Sequence, residues 1–109
     1  MGDRADLLQG SLDLLILKVL SRETLHGWAV SRRIRELSGD VLQVNQGSLY
    51  PALYRLRDRE LIEAASSVSD EGRPVKVYTL TRRGRAALGA QRRNWRLFAD
   101  AVDAVLATS

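Results

Sequence analysis

The chain has 109 residues, 45% of them hydrophobic, which is enough for one folded domain with a single core. It contains no cysteine, which excludes disulfides and thiolate chemistry, and its formal net charge of +4 favours a polyanionic partner. Neither a secretion signal nor an apolar run long enough to span a bilayer is present, so we expect a cytoplasmic protein with no membrane partner.

The first predicted element is a helix from Leu7 to Leu20. Apolar side chains cover nearly all of its faces, so this helix must be buried on two sides. A second subunit would supply the missing cover, and Leu14 and Leu17 would then lie in a dimer interface. The alternative is a central core helix within one subunit.

A second helix is predicted from a cap at Thr24 to about Ser38, with Gly39 as a left-handed stop. Its opposite face carries Trp28 together with two arginines. That group could bind phosphate, pack on a partner subunit or form an internal cation–π pair, and the sequence leaves all three open. The predicted core stripe consists of Val30, Ile34 and Leu37.

A third helix begins between Asn45 and Ser48, and Pro51 constrains its start. A start at Ser48 keeps the proline in the first turn, whereas an earlier start would need local 3₁₀ geometry. Leu49, Leu53 and Leu56 form an apolar stripe that docks the helix on a core. The outer face carries aromatic and guanidinium groups suited to base edges and phosphates. The predicted DNA-contacting residues are Gln46, Gly47, Ser48, Tyr50, Pro51, Tyr54 and Arg55.

Two short extended runs, Glu63–Val68 and Val75–Leu80, flank a turn at Gly72–Pro74 and predict a β-hairpin. A reading helix followed by a basic hairpin is typical of a winged helix-turn-helix, so the fold class is mainly α with a small β-hairpin. Arg73 and Lys76 are the hairpin residues expected to contact phosphates or the minor groove.

Thr81 is predicted to cap a long final helix with a heptad-like apolar seam. This seam predicts a homodimer, with residues 1–81 as the DNA-binding domain and residues 82–109 as the dimerisation helix. Trp95 and Phe98 could interlock there as core or leave a slot for a planar small-molecule effector. The predicted seam residues are Leu88, Trp95, Phe98, Val102 and Val105.

Six of the chain's 15 arginines lie between Arg82 and Arg96. They form either a solvated face or ion pairs with Asp100, Asp103 or the acids of a partner.

Catalysis is poorly supported, because the only histidine, His26, is expected to be structural and no metal-ligand spacing or phosphate-cradling loop is present. We therefore expect no enzyme activity, no metal and no cofactor.

Four sequence motifs and one further glycine are similar, in order and spacing, to those of the PadR-like transcriptional regulators. The chain resembles in particular the short members whose C-terminal region is one dimerisation helix. The resemblance covers roughly residues 9 to 84. It implies a winged-helix dimer that binds an inverted-repeat operator in double-stranded DNA, usually as a repressor and sometimes released by a small molecule. The motifs are Gly10–Asp13, His26–Trp28, Gly47–Leu53, Gly72–Thr81 and Gly84.

Three features depart from that family pattern. Trp28 replaces the usual tyrosine, and Glu60 stands where a glycine commonly closes the recognition helix. Val75 and Val77 occupy hairpin positions that are more often basic.

A DNA-binding repressor is the favoured function. The alternative is a winged-helix module that binds another protein, and the salt dependence of binding would separate the two.

Overall fold

The computed structural model describes the backbone of residues 3–109 and the side chains from residue 11 onward. Within this part of the chain, four helices pack around a small antiparallel sheet of three strands. The elements in chain order are α1 (Asp3–Leu20), β1 (Leu25–His26), α2 (Gly27–Leu37), α3 (Gln46–Asp58), β2 (Ile62–Val68), β3 (Pro74–Leu80) and α4 (Arg82–Leu106).

Helix α1 is the central helix of the core and contacts α2, α3, α4 and β3. Leu12, Ile16 and Leu17 are buried, and Leu14 is partly buried against them. The neighbouring elements of the same chain therefore supply most of the cover that the apolar sequence demands. Leu17, predicted to lie in a dimer interface, is fully buried within the single chain.

Helix α2 begins at Gly27, so the predicted cap at Thr24 is wrong. Thr24 precedes β1, and its hydroxyl oxygen lies 3.1 Å from that of Thr79 on β3. Leu37 is also not a core residue, because it is the last residue of the helix and 65% exposed. Gly39, with φ of +62°, confirms the predicted left-handed stop.

Helix α3 begins at Gln46, where the side chain of Asn45 accepts a hydrogen bond of 2.9 Å from the Ser48 amide. The helix stays α-helical through Pro51, so the 3₁₀ geometry expected at the proline for an early start is not found. The apolar stripe is confirmed as fully buried. Its members are Leu49, Ala52, Leu53 and Leu56.

The predicted hairpin is confirmed, with each strand one residue longer than expected. Strands β2 and β3 pair from Ile62↔Leu80 to Val68↔Pro74. The two-residue strand β1 pairs with the other edge of β3 and was not predicted, because two residues carry no readable alternation. The sheet order is thus β1-β3-β2.

Thr81 caps α4 as predicted, accepting a 2.9 Å hydrogen bond from the Gly84 amide. The first turns of α4 pack on α1 and bury Leu88, so this residue belongs to the core of the chain instead of an exposed seam. The remainder of the 25-residue helix, about 37 Å long in total, extends past the core.

No helix in the described part of the chain combines the length and the apolar character needed to cross a membrane.

Candidate nucleic-acid interface

The outer face of α3 is the centre of the candidate site. Opposite the buried stripe, Gly47, Pro51 and Tyr54 are exposed, as the helical spacing predicts. Tyr50 differs from them, because it is half-buried and packs against the core. The face therefore presents backbone, hydroxyl and aromatic groups to solvent. The other predicted contact residues on this helix, Gln46, Ser48 and Arg55, are also exposed.

A cavity of about 280 Å³ lies between the start of α2, the side of α3 and strand β3. Its only charged lining residue among those described is Lys76, which gives the cavity a positive rim. His26 stacks on Trp28 at its edge, with ring centroids 6.1 Å apart, and the buried Nδ1 atom of His26 has no hydrogen-bond partner among the described residues. An aromatic cavity with a cationic rim suits a sugar–phosphate unit. The remaining lining residues are Gly27, Tyr50, Tyr54, Pro74, Val75 and Tyr78.

Tyr78 lines this cavity and is almost completely buried. Burial raises the pKa of the Tyr78 hydroxyl above 10, and the nearby hydroxyls of Tyr54 and Tyr50 raise it further, while Arg57 opposes them. The hydroxyl therefore stays protonated at neutral pH and keeps its ability to donate a hydrogen bond.

The exposed outer face of α3, with Gly47, Pro51 and Tyr54, is called the reading face below. Both arginines of α3 that flank it are held by partners within the chain. On one side, Nη2 of Arg55 lies 3.1 Å from a carboxylate oxygen of Asp13 on α1. On the other side, the guanidinium of Arg57 lies 5.4 Å from the ring centroid of Tyr54. These contacts set the orientation of two cations at the edges of α3.

The hairpin brings its two predicted basic residues to the surface. Arg73 and Lys76 are exposed at the turn and on β3, whereas Val75 and Val77 are half-buried. Gly72, with φ of +82°, allows the tight turn that places Arg73 beside the strand. The two valines, which stand at positions that the resemblance expects to be basic, are thus partly covered by the rest of the chain.

Trp28 forms one of the arrangements left open by the sequence, because the guanidinium of Arg32 lies 5.6 Å from its ring centroid. In the later arginine run, Arg83 pairs with Glu60 at 3.2 Å and Arg96 with Asp100 at 3.7 Å. Glu60 itself has φ of +62°, so it adopts the backbone conformation for which glycine is better suited.

A separate apolar surface lies on the C-terminal half of α4, which we call the α4 stripe: Trp95, Phe98, Val102 and Val105. All four side chains are exposed in the single chain, Trp95 to 45% and Phe98 to 60%. The rings of Trp95 and Phe98 lie 6.1 Å apart at an angle of 40°. The stripe continues the face of α4 that buries Leu88 against the core.

Sequence reasoning missed three residues of the candidate site: Asp13, Arg57 and Tyr78. Asp13 lies in a motif that was recognised, but its partner Arg55 is 42 residues away in the chain. In the alternating pattern of β3, Tyr78 lies on the same face of the strand as Lys76 and Leu80. This alternation was the one sequence signal that Tyr78 points towards α3.

Residues 16–90 match the transcriptional regulator PadR-like family. A transcriptional regulator of Mycobacterium tuberculosis is 37% identical over 86 residues, which cover 78% of this chain and 76% of that protein.

Two solved structures give a similar result. A PadR-like transcriptional regulator from Bacillus cereus is 28% identical with a TM-score of 0.80, covering 95% of this chain and 99% of that chain. A PadR family transcriptional regulator from Eggerthella lenta is 27% identical with a TM-score of 0.82, covering 96% and 89% respectively. The winged-helix architecture, the ordered motifs and these relatives lead to one conclusion: the chain belongs to the PadR-like family of transcriptional regulators.

Proposed function

We propose that this regulator is a DNA-binding repressor that acts in the cytoplasm as a homodimer on an inverted-repeat operator. The observation that carries the proposal is the exposed face of α3, which lies beside a cavity whose one charged lining residue among those described is Lys76. Helix α3 would enter the major groove, and Arg73 and Lys76 would contact the adjacent backbone.

In this proposal, residues 1–81 form the DNA-binding domain and residues 82–109 form the dimerisation helix. The α4 stripe supports this division, because it exposes large apolar side chains along one face. Each Å² of apolar surface buried in a dimer contributes about 25 cal/mol, so an extended helix pair can offset the cost of association. Leu14, partly buried on α1, would extend the interface.

A two-fold dimer presents its two reading helices to successive major grooves on one side of the duplex. We therefore expect half-sites whose centres lie about one helical turn apart, roughly 10 base pairs. The symmetry of the operator would mirror the symmetry of the protein.

In this proposal, a planar aromatic molecule bound at the α4 stripe regulates DNA binding. Two copies of Trp95 and Phe98 around the two-fold axis would form a site for such a molecule between subunits. The ligand would change DNA affinity only through its differential affinity for two dimer shapes. We expect quenching of Trp95 fluorescence and loss of operator binding at the same ligand concentration, measured in a Trp28→Phe background that removes the second tryptophan. An aromatic panel that changes neither signal would assign both rings to dimer packing alone.

The decisive experiment is selection of bound sequences from a random duplex library, followed by titration at several salt concentrations. The proposal predicts enrichment of an inverted repeat and an affinity that falls steeply as salt rises. Failure to enrich any sequence, with weak salt dependence, would contradict it and favour the protein-binding alternative.

A further inference from the structure

An ion pair between Asp13 and Arg55 connects the central helix α1 to the reading face of α3. Asp13 lies on α1 next to the buried Leu12, and its side chain is only 29% exposed. Its partner Arg55 is 57% exposed at the edge of the reading face, with 3.1 Å between Oδ1 and Nη2. Because α1 is anchored in the core, the carboxylate is the fixed member of the pair and the long arginine side chain is the mobile one.

The pairing changes which DNA groups Arg55 can bind favourably. A free guanidinium at the edge of a reading helix gains energy from any phosphate, and phosphate contacts carry no sequence information. The nearby carboxylate of Asp13 offsets part of that gain and repels phosphate oxygens. Base edges such as O6 and N7 of guanine carry no net charge, so they are penalised much less.

Arg55 also keeps donors for a base while it is paired with Asp13. The guanidinium has five N–H groups in a rigid plane, and the contact with Asp13 uses one nitrogen. A carboxylate at one edge of that plane fixes its orientation and leaves the other edge free.

We propose that Asp13 is a specificity-determining residue of this regulator: by pairing with Arg55, it suppresses sequence-independent phosphate binding and reserves the arginine for a base edge. The proposal rests on the DNA-binding function proposed above. Asp13 acts through Arg55 and is therefore a positioning residue.

Asp58 provides a matched control for the loss of one negative charge. It lies on α3 itself, its side chain is 74% exposed, and its nearest cation is Arg57 at 3.8 Å. Asp58→Asn removes the same charge close to the proposed DNA surface without releasing Arg55, and its 3.8 Å contact with Arg57 is too long for a hydrogen bond, so Arg57 is expected to stay over the ring of Tyr54.

The experiment compares affinities for the selected operator and for random duplex DNA. Asp13→Asn is expected to raise random-duplex affinity roughly two- to fivefold, which is the range expected for the loss of one ion pair near the surface. The slope of log affinity against log salt should steepen by about one phosphate contact. Operator affinity should rise less, so the ratio of the two affinities falls. Combined with Arg55→Ala, Asp13→Asn should have no more effect than Asp58→Asn.

A second variant tests the proposal without altering Asp13. Arg55→Ala alone should lower operator affinity by about tenfold or more, while random-duplex affinity stays nearly unchanged. Equal losses for both duplexes would overturn the role of Asp13, as would an equal effect of Asp13→Asn and Asp58→Asn. A wild-type chain that does not discriminate between the duplexes would overturn the DNA-binding proposal as well, so the two failures are distinguishable.

Discussion

The backbone of Gly27 lies directly against the side chain of Tyr50. A Cβ atom at position 27 would stand 2.8 Å from the Tyr50 hydroxyl oxygen and 3.0 Å from Cε1 of the ring. The first residue of α2 is therefore a glycine, because any side chain there would clash with the ring of Tyr50 on α3. This contact lets α2 and α3 approach each other closely at this point.

Gly27→Ala is expected to displace the ring of Tyr50 while leaving the fold intact. The clash involves the end of a rotatable side chain, so we expect a loss of unfolding free energy below about 1 kcal/mol. Duplex affinity should fall because Tyr50 is a proposed DNA contact. Thermal unfolding and duplex titration measure the two effects. In a Tyr50→Ala background the alanine at position 27 should have no further effect, and an additive loss of affinity would contradict this explanation.

Gly84→Ala should instead destabilise the whole chain. A Cβ at this position would overlap the backbone carbonyl of Leu61 and press on the side chain of Leu80, which cannot swing aside as a surface residue can. We expect a loss of about 1–3 kcal/mol in denaturant unfolding. Gly89→Ala is the control in the same helix, because its Cβ would meet only a flexible arginine at 3.6 Å. That variant should be neutral or stabilised by up to about 1 kcal/mol.

Charges in the α4 stripe should separate the proposed dimer into chains of 12.2 kDa. Phe98→Glu and Val105→Glu place carboxylates where two apolar helices would meet, and desolvation of these charges opposes association. Leu97→Glu is the control, since Leu97 is similarly exposed but lies outside the stripe, about 100° around the helix from Phe98. Sedimentation velocity at micromolar concentration distinguishes the species. Dissociation by Leu97→Glu, or a dimer that survives both stripe variants, would move the interface elsewhere.

Lys76→Ala should weaken binding to all duplexes by a similar factor. A phosphate contact contributes charge neutralisation without sequence information, so the salt slope should fall by about one while the selected sequence stays the same. Arg92→Ala removes an exposed cation on α4 and should leave the slope unchanged. A change of preferred sequence in Lys76→Ala would assign this lysine to a base edge.

We expect Tyr78 to make the stability of the protein sensitive to alkaline pH. Its pKa in the folded chain is raised above the value of about 10 that it has in an unfolded chain. Unfolding therefore releases a proton once the pH exceeds about 10, and stability decreases as the pH rises further. Tyr78→Phe should flatten this decrease in unfolding experiments above about pH 10. An unchanged alkaline slope in the variant would show that other groups cause it.

Local patterns in the sequence predicted the elements that bury a regular apolar face. The stripe of α3 and the cap at Thr81 follow from spacing and from side-chain hydrogen bonding within three residues. Thr24 misled the same reasoning, because its hydroxyl pairs across the sheet with Thr79 instead of capping a helix. Leu37 fits the periodicity of α2, but the helix ends there and no neighbouring element covers it.

The candidate site was predictable only in part, since its geometry depends on contacts between distant segments. Helical spacing identified the exposed residues of α3, and the turn chemistry located Arg73. The Asp13–Arg55 ion pair and the cavity above Tyr78 each join segments far apart in the chain, which no local pattern reports. Burial of Leu88 likewise depends on how α4 crosses α1, so a heptad seam could not distinguish core from interface.

The β-hairpin is joined to β1 by the strand pairing of Leu25 with Tyr78 and of His26 with Val77. The residues of β1 lead without interruption into Gly27, so the wing and the start of the helix-turn-helix are joined by backbone hydrogen bonds. Shortening the hairpin into β3 would therefore release the beginning of α2 and the ring of Tyr50 that rests on it. A version of this regulator without the hairpin is therefore expected to lose the alignment of α3 together with the proposed phosphate contacts.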